Sequence, residues 1–346
     1  MNNYFDNKSI LITGASGSIG SALVNFLRQK KCKVIRALSN DENGLYELSE
    51  LINEEKKVPF NLKMKKNKIR FIIGDVRDYA RCVEATSKID IIIHAAALKH
   101  VPLCEYNTRE ANKTNITETK NLIKAAIKNK VKKFLFISTD KVVDPISVMG
   151  KSKLKAEKLV LNTKIKNNKN KTIFSCIRFG NIIGSRGSVL PKFKKQIFEN
   201  KNISLTSKEM NRYFLTIDNA VKNICSSIEL MKGKEIFVIN NLPIFNILDL
   251  AEVLVKYYRK KFGYNKKILV TGARSGERMT EELFIKKKYN NIFHYKNLII
   301  INDSINPSYV KKYYNLNNIK IFKEKNKKNV ANQKFILVYM RKNNLL

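Results

Sequence analysis

The sequence has no tryptophan, only three histidines and five cysteines among its 346 residues. The cysteines form no C-x-x-C pair and their number is odd, which indicates reduced thiols in a reducing compartment. The histidines are not clustered, so we expect no metal site. No apolar run approaches the roughly 18 residues of a membrane helix, and the polar N-terminus has no signal-peptide pattern. We expect a cytoplasmic protein that is not inserted in a membrane.

Acidic residues are also scarce: 29 Asp and Glu stand against 67 Lys and Arg, which gives a net charge of +38. Such a charge suggests nucleic-acid binding. The lysine-rich stretches at 63–68, 164–171 and 323–328 nevertheless contain no aromatic side chains on which bases could stack. We therefore interpret the charge as a compositional bias and predict no nucleic-acid partner. The positive field would still attract an anionic substrate.

Short apolar runs alternate with helical patterns through the first 180 residues. The predicted strands lie at 10–13, 33–38, 69–73, 89–94, 133–138 and 172–179. The predicted helices lie at 19–30, 45–55, 78–87, 112–129 and 152–161. Buried strands that alternate with helices form parallel sheets with right-handed crossovers. The sequence therefore predicts an α/β fold with a Rossmann-type, doubly wound parallel sheet.

A glycine-rich loop, TGASGSIG at 13–20, joins the first predicted strand to the first predicted helix. Glycines at these spacings permit a tight turn, a close approach of a pyrophosphate to backbone N–H groups, and tight packing of helix on strand. A dinucleotide-binding loop requires this position at the start of a βαβ unit. We predict that the loop binds the cofactor through Gly14, Ser16, Gly17, Ser18, Ile19 and Gly20.

The ends of the next strands are expected to bind the rest of the cofactor. Ser39 ends the second strand, where an acidic residue would favour NAD. A serine near Arg36 tolerates a 2′-phosphate, so the sequence favours NADP over NAD, unless Ser39 only begins a turn. We further predict that the adenine is contacted by Asp75 and Val76, and that the cofactor passes the small side chains of Ala95, Ala96 and Ala97.

After residue 180 the pattern breaks into shorter pieces. We predict an NAD(P)-binding Rossmann domain at 1–180, to which a strand near 236–240 returns. A smaller substrate-binding lobe is expected at 181–322, assembled from separated segments. Residues 323–346 are a basic tail without an assigned role, although the apolar run at 335–340 has the length of a buried strand.

Further motifs accompany the glycine loop. They are GDVRD at 74–78, HAAALKHVP at 94–102, STDK at 138–141, VMGKSK at 148–153, RFGN at 178–181, GSRGS at 184–188, MNRYF at 210–214 and TGARSGE at 271–277. Together these motifs resemble the extended short-chain dehydrogenase/reductase superfamily. More narrowly, the chain is similar to the UDP-N-acetylglucosamine 4,6-dehydratases of polysaccharide and glycan biosynthesis over residues 8–285.

This resemblance implies a UDP-sugar substrate, a tightly bound and recycled NADP or NAD, and a homo-oligomer. The implied reaction oxidises C4, eliminates water across C5 and C6, and returns the hydride to C6. A nucleotide-sugar 4-epimerase and a non-catalytic NADP-binding member of the superfamily are the alternatives.

The resemblance places the dehydration chemistry on Asp140 and Lys141, next to Thr139. A carboxyl and an amine at the carboxyl end of a parallel strand also lie on the functional edge of such a sheet. Lys153 is expected to hold the nicotinamide ribose. Met149 occupies the position of the usual tyrosine, and methionine has no transferable proton. The acceptor of the sugar O4 proton is therefore open between Asp140, Thr139 and a water.

Arginine binds diphosphates well because its planar guanidinium can donate to two phosphate oxygens. Glu277 is expected to bind a ribose hydroxyl or to cap a helix. By resemblance, the substrate-binding residues are Lys99, Arg178, Asn181, Arg186, Arg212, Arg274 and Glu277.

Overall fold

The computed structural model describes residues 3–54, 68–163, 171–322 and 330–346. The three lysine-rich stretches lie outside the described residues, except for residues 68 and 171. All five cysteines are buried and their thiols are free.

The strands are β1 Ser9–Thr13, β2 Val34–Ser39, β3 Ile69–Ile73, β4 Ile91–His94, β5 Lys133–Ile137, β6 Ile173–Arg178, β7 Asn181–Ile182, β8 Ile203–Leu205, β9 Asn211–Leu215, β10 Ile236–Ile239, β11 Ile244–Asn246, β12 Ile268–Val270, β13 Ile292–Tyr295, β14 Leu298–Ile301, β15 Lys320–Ile321 and β16 Val330–Ala331. The α-helices are α1 Ser18–Leu27, α2 Glu42–Glu54, α3 Tyr79–Thr86, α4 Val101–Tyr106, α5 Thr108–Asn112, α6 Glu118–Lys128, α7 Val148–Leu161, α8 Val189–Phe198, α9 Ile217–Leu230, α10 Ile247–Phe262, α11 Val310–Tyr314 and α12 Gln333–Lys342. The six strands and five helices predicted before residue 180 are present, and a π-helical turn, Lys113–Thr117, joins α5 to α6.

The largest sheet of the described residues has ten strands, in the order β15-β13-β14-β10-β6-β5-β4-β1-β2-β3. The strands from β3 to β10 in this order pair in parallel. The three strands at the other edge are antiparallel. This topology confirms the predicted Rossmann-type fold. β10, which lies at the position predicted for a returning strand, pairs in parallel with β6.

The sheet order places a crevice at the carboxyl ends of the central strands. β1 lies between β2 and β4, so successive crossovers leave it in opposite directions. Ligands of such sheets bind at this switch point. Every residue of β1 and β4 is buried, which is typical of strands covered by helices on both faces. The loops after Thr13, Ser39 and His94 therefore meet at one edge.

The second half of the chain contributes to two structures. β7, β9, β11 and β16 form a small separate sheet, and β8 pairs with β12. A second core, which includes Phe193 and Tyr258, packs between these strands and α8, α10 and α12. Residues 292–301 and 320–321, which we assigned to the substrate-binding lobe, instead extend the large sheet.

The apolar run at 335–340 is not a strand, so that expectation was wrong. It lies in α12, where Asn332 caps the first turn by accepting from Phe335 N. Ile336 and Met340 are fully buried, whereas Phe335 and Val338 are about half exposed. This spacing has the helical period, and the buried face joins the second core. The end of the predicted tail is therefore a packed helix.

Candidate active site

A cavity of about 730 Å³ runs along the crevice, between the carboxyl edge of the sheet and the second half of the chain. All but three of the predicted site residues line it. The exceptions are Asp140, Arg178 and Arg186. Most of the predicted site residues therefore lie in the wall of one cavity.

The glycines of the loop differ in what they permit. Gly14 has φ +66°, and a Cβ there would come within 2.8 Å of Ala96 Cα. A Cβ on Gly20 would collide with the backbone of Gly14 and Ala15. A Cβ on Gly17 would meet only the Gly14 carbonyl oxygen, at 3.3 Å. Gly14 and Gly20 are therefore needed for packing, while Gly17 keeps the cavity open where α1 begins and its backbone N–H groups can bind an anion.

The end of β2 differs from what we expected of Arg36. Its guanidinium donates to the carbonyl oxygens of Ala85 and Ser87, at 2.7 and 2.8 Å, and does not line the cavity. Ser39 Oγ lies 2.8 Å from Ser16 Oγ. The charged side chain that lines the cavity here is Asp41. The environment of Ser39 is therefore polar, with an acidic neighbour.

Asp75 and Val76 follow β3 and line the cavity. The Asp75 carboxylate accepts from Arg77 at 2.6 and 2.8 Å, and this hydrogen bonding lowers the pKa of Asp75. Asp75 is therefore an ionised acceptor at the end of the cavity where the adenine is expected.

His94 is a core residue. It is fully buried, and its ring nitrogens lie 2.8 Å from Thr13 Oγ1 and 3.0 Å from Thr119 Oγ1. Burial lowers the pKa of His94 to about 3. The imidazole is therefore neutral and has both nitrogens in hydrogen bonds.

Glu118, which is not among the residues predicted from the sequence, lies on α6 and lines the cavity. It is 1% exposed, and its Oε1 has no hydrogen-bond partner among the described residues. Burial raises its pKa well above the usual value. An isolated glutamate in a helical pattern gives no signal that it will face a cavity.

Thr139, Asp140 and Lys141 follow β5 directly. Thr139 precedes a 3₁₀ turn at Asp140–Val142. Its hydroxyl donates to Asp140 Oδ1 at 2.7 Å, and Lys141 Nζ donates to the same oxygen at 3.0 Å. Asp140 is fully buried directly behind the cavity wall, and its Oδ2 has no partner among the described residues. A carboxyl, an amine and a hydroxyl are thus hydrogen-bonded at the strand end.

Met149 and Lys153 lie on one face of α7, as their i, i+4 spacing predicts. Ser147 caps this helix by accepting from Gly150 N. Both Met149 and Lys153 line the cavity. Lys153 Nζ donates to Ile137 O at 2.6 Å and lies 3.9 Å above the Phe136 ring. Burial lowers the pKa of Lys153 to about 8, so its charge is poorly solvated before a ligand binds.

Arg178 is not a cavity residue, and the structure corrects that expectation. It is 3% exposed and pairs with the buried Glu157, to which Nε donates at 2.9 Å. A further guanidinium nitrogen donates to Tyr289 Oη at 3.1 Å. With its donors used in this way, Arg178 stabilises the fold.

Arg186 also lies outside the cavity wall, at its rim. Its backbone N–H donates to Ser18 Oγ at 3.0 Å, and its carbonyl oxygen accepts from Lys99 Nζ at 2.6 Å. The exposed guanidinium lies 3.5 Å from Asp41 Oδ2. Arg186 therefore crosses the glycine-rich loop and reaches the Ser39 side of the cofactor region.

Arg212 lines the cavity but has most of its donors engaged. Its guanidinium donates to the carbonyl oxygens of Asn211, Met279 and Arg278, at 2.8, 3.0 and 2.7 Å. Burial lowers the pKa of Arg212, and nearby carboxylates oppose this lowering.

Arg274 is half exposed at the cavity, with its guanidinium 3.9 Å from Glu277 Oε1. The Glu277 carboxylate accepts from the backbone N–H of Arg274 at 3.2 Å. This contact closes a turn, and Glu277 does not cap a helix. Of the predicted arginines, Arg274 has the guanidinium that faces the cavity with the fewest hydrogen bonds to protein. We also find Glu281 in the cavity wall, where the sequence pattern indicated no function.

A parallel sheet with a glycine-rich loop at its switch point, a buried lysine on α7 and polar residues at the end of β5 define a Rossmann-type enzyme of the short-chain dehydrogenase/reductase kind. The chain belongs to the polysaccharide biosynthesis protein family, whose model matches residues 10–303.

The relatives of this chain cover most of its length. An uncharacterized membrane protein of Methanocaldococcus jannaschii is 42% identical over 304 residues, 87% of each chain. A UDP-N-acetylglucosamine 4,6-dehydratase (inverting) of Campylobacter jejuni is 38% identical over 87% of this chain and 84% of its own. A UDP-glucose 4-epimerase of Rickettsia bellii is 38% identical over 81% of this chain and 78% of its own.

Among solved structures, Pen from Bacillus thuringiensis superposes with a TM-score of 0.87 at 34% identity, over 99% of both chains. No helix within the described ranges is long and apolar enough to cross a membrane.

Proposed function

We propose that this chain is an NAD(P)-dependent nucleotide-sugar 4,6-dehydratase acting on UDP-N-acetylglucosamine. The observation that carries the proposal is the hydrogen-bonded group of Thr139, Asp140 and Lys141, which lies beside the same cavity as Lys153 and the glycine-rich loop. Chemistry at a sugar C5 and C6 requires a base and an acid close together, and this group contains both.

The residues fit a nicotinamide dinucleotide. Gly17 leaves room for a pyrophosphate at the start of α1, since a Cβ there would have only one close neighbour. Lys153 lines the cavity, and its ammonium donates to Ile137 O at 2.6 Å, so it has further donors that suit a ribose hydroxyl. The chemistry supplied by the bound nicotinamide is to accept the C4 hydride and return it at C6, without net oxidation.

The protein residues then move the protons. Thr139 can take the proton of the sugar O4 and pass its own to Asp140, to which it already donates. Asp140 becomes a carboxylic acid in this step. Because it lies behind the cavity wall, it can later return the proton through the Thr139 hydroxyl to the departing C6 hydroxyl, which leaves as water. Lys141, as a neutral amine, can remove the acidified C5 proton and, as the resulting ammonium, can return a proton that has exchanged with solvent to C5 when the hydride reaches C6. This route needs no proton from Met149. The proton that Asp140 receives during oxidation at C4 is the one that later protonates the C6 hydroxyl.

The choice of dinucleotide depends on Asp41 and Arg186, because Arg36 is occupied elsewhere. Asp41 would repel a 2′-phosphate near Ser39, whereas the guanidinium of Arg186 can turn from Asp41 to the phosphate. We retain NADP as the proposed cofactor, with Arg186 in the role expected of Arg36.

A nucleotide-sugar 4-epimerase is the second candidate, and the Rickettsia bellii relative favours it by name. An epimerase moves hydride and proton only at C4 and O4, so the C5 proton stays in place. The buried Asp140 and its contact with Lys141 would then have no chemical role.

The deciding experiment is incubation with UDP-N-acetylglucosamine in D₂O, followed by NMR of the product. A dehydratase forms a 4-keto-6-deoxy sugar that carries deuterium at C5, and no NAD(P)H accumulates. An epimerase gives a C4 epimer with hydrogen at C5. Stoichiometric release of NAD(P)H would indicate an ordinary dehydrogenase and overturn the proposal.

A further inference from the structure

We propose that Glu281 is a positioning residue for Lys141 and supplies the negative charge that balances the Lys141 ammonium after it has taken the C5 proton. This inference rests on the proposed function, since it concerns the same proton transfer.

Three acceptors from separate parts of the chain surround the Lys141 ammonium. Its Nζ lies 3.0 Å from Asp140 Oδ1, 3.4 Å from Asn181 Oδ1 and 3.7 Å from Glu281 Oε1. The Glu281 side chain is 5% exposed. A buried carboxylate is costly unless a cation is near. Lys141 is the cation within ion-pairing distance of Glu281 among the described residues.

The position of Glu281 is set by β9. Asn211 N donates to Met279 O at 2.8 Å, and Asn211 forms a parallel bridge with Thr280. Arg212 donates to the carbonyl oxygens of Arg278 and Met279. The residues immediately before Glu281 are therefore held to the strand, so the distance from its carboxylate to Lys141 depends on a fixed backbone. Arg212, expected from the sequence to bind substrate, contributes to this placement.

The proton count explains why a second carboxylate is needed. In the proposed mechanism Asp140 has become a carboxylic acid before the C5 proton is removed. When Lys141 takes that proton it becomes an ammonium beside a neutral Asp140, so their ion pair does not exist at this stage. Glu281 is then the carboxylate within 4 Å of the new charge. Asp140 regains its negative charge only after it protonates the leaving hydroxyl.

Replacement of this carboxylate has two consequences of different sign. Without Glu281 the ammonium is less stable, so Lys141 is a weaker base and the maximal rate falls. For the same reason Lys141 releases its resting proton more readily, and the acid limb of the pH–rate profile moves to lower pH. A residue that only supports the fold would not move this limb.

The test compares Glu281→Gln, Glu281→Asp and the wild type, with the exposed Glu209→Gln as a matched control. In Glu281→Gln we expect kcat to fall about 10-fold, which is less than the roughly 10²–10⁴-fold effect of removing a group that itself transfers the proton. KM should change less than about twofold, and the acid limb of kcat should shift down by about one pH unit, the scale of a single nearby charge. Glu281→Asp keeps the charge and should keep the wild-type limb, and Glu209→Gln should behave as wild type.

The wild-type reaction in D₂O separates failure of this inference from failure of the proposed function. If the wild type forms a C5-deuterated dehydration product but Glu281→Gln keeps the wild-type kcat and acid limb, the role of Glu281 is wrong and the function stands. If the wild type leaves C5 protiated, both are wrong. If Glu281→Gln does not fold, Glu281→Asp decides: a shifted limb despite its retained charge would also overturn the inference.

Discussion

Arg178 and Glu157 form a buried ion pair beneath the candidate catalytic turn. The Glu157 carboxylate accepts from Arg178 Nε at 2.9 Å and from Ser138 Oγ at 2.7 Å, so it connects β6 and α7 to the residue just before Thr139. Both charged side chains are at most 3% exposed. The pair therefore supports the turn from behind, without contact to the cavity.

Replacement of Arg178 should affect stability first. Arg178→Met leaves Glu157 buried and unpaired, and such a loss costs about 3–5 kcal/mol. We expect chemical denaturation to show a destabilisation of this size. Arg274→Met is the control, because its half-exposed guanidinium lines the cavity. It should leave the free energy of unfolding nearly unchanged and raise KM for the UDP-sugar. If Arg178→Met instead raised KM for the UDP-sugar and left the free energy of unfolding unchanged, Arg178 would be a substrate-binding residue.

The acid and the base should be separable from ligand binding. Lys141→Met and Asp140→Asn remove one proton-transferring group each and keep similar side-chain volumes. We expect dehydration to slow by about 10²-fold or more in either variant, while cofactor content and the Kd for UDP-N-acetylglucosamine stay near the wild-type values. Turnover is measured by NMR and binding by calorimetry. Near-normal turnover in both variants would contradict the mechanism.

The glycines of the loop predict two different failures. Gly17→Val places a side chain where the pyrophosphate must approach but meets little protein. We expect a folded protein that has lost its cofactor. Gly20→Val forces a side chain into the backbone of Gly14 and Ala15, so we expect poor folding. Circular dichroism together with the absorbance of the extracted dinucleotide distinguishes the two results. Equal cofactor retention in Gly17→Val and wild type would refute this assignment.

These contrasts show what the sequence can predict. The alternation of apolar strands with helices, and the position of the glycine loop, depend on local patterns, and both are present in the structure. The sequence does not show that the partner of Arg178 is Glu157, because the two meet only when β6 packs against α7. Glu281 contacts Lys141, which lies 140 positions earlier in the sequence, so no local sequence pattern could predict this contact.

Misassignment of the run at 335–340 has a related cause. Its length and apolar composition are compatible with a strand or a helix, and only a partner decides between them. Ile336 and Met340, four residues apart, pack against the core formed with α10. Both can face this core at once only if the segment is a helix. Tertiary packing, rather than local preference, determined this element.

Glu118 should make the folded protein less stable as the pH rises. Burial raises its pKa well above the usual 4.5, so the folded state keeps a proton that the unfolded chain releases. This stability is fully present below pH 4.5 and is lost as the pH rises through the folded-state pKa, at most about 1.4 kcal/mol per pH unit. Glu118→Gln removes the titrating carboxyl and therefore the loss of stability with rising pH. We expect its Tm to exceed that of the wild type at pH 8 and to match it near pH 4.

The control for this experiment is Glu84→Gln, an exposed carboxylate on α3. Its difference in Tm from the wild type should be nearly the same at pH 4 and pH 8. If the wild type and Glu118→Gln had parallel profiles of Tm against pH, Glu118 would titrate normally and this prediction would be wrong.

The rim pair of Arg186 and Asp41 should determine how strongly NADP is preferred. The two side chains lie 3.5 Å apart at the end of the cavity that contains Ser39. If Arg186 turns to a 2′-phosphate, Arg186→Ala should weaken NADP about 10-fold or more and NAD much less, since a charge-assisted bond contributes roughly 1.5–3 kcal/mol. Asp41→Asn should have the opposite effect, because it removes a repelling charge and frees Arg186. Titration of cofactor-free protein with each dinucleotide measures both ratios. If Arg186→Ala weakened the binding of NAD and NADP equally, Arg186 would only hold the loop over the pyrophosphate. A preference for NADP could then not be attributed to Arg186.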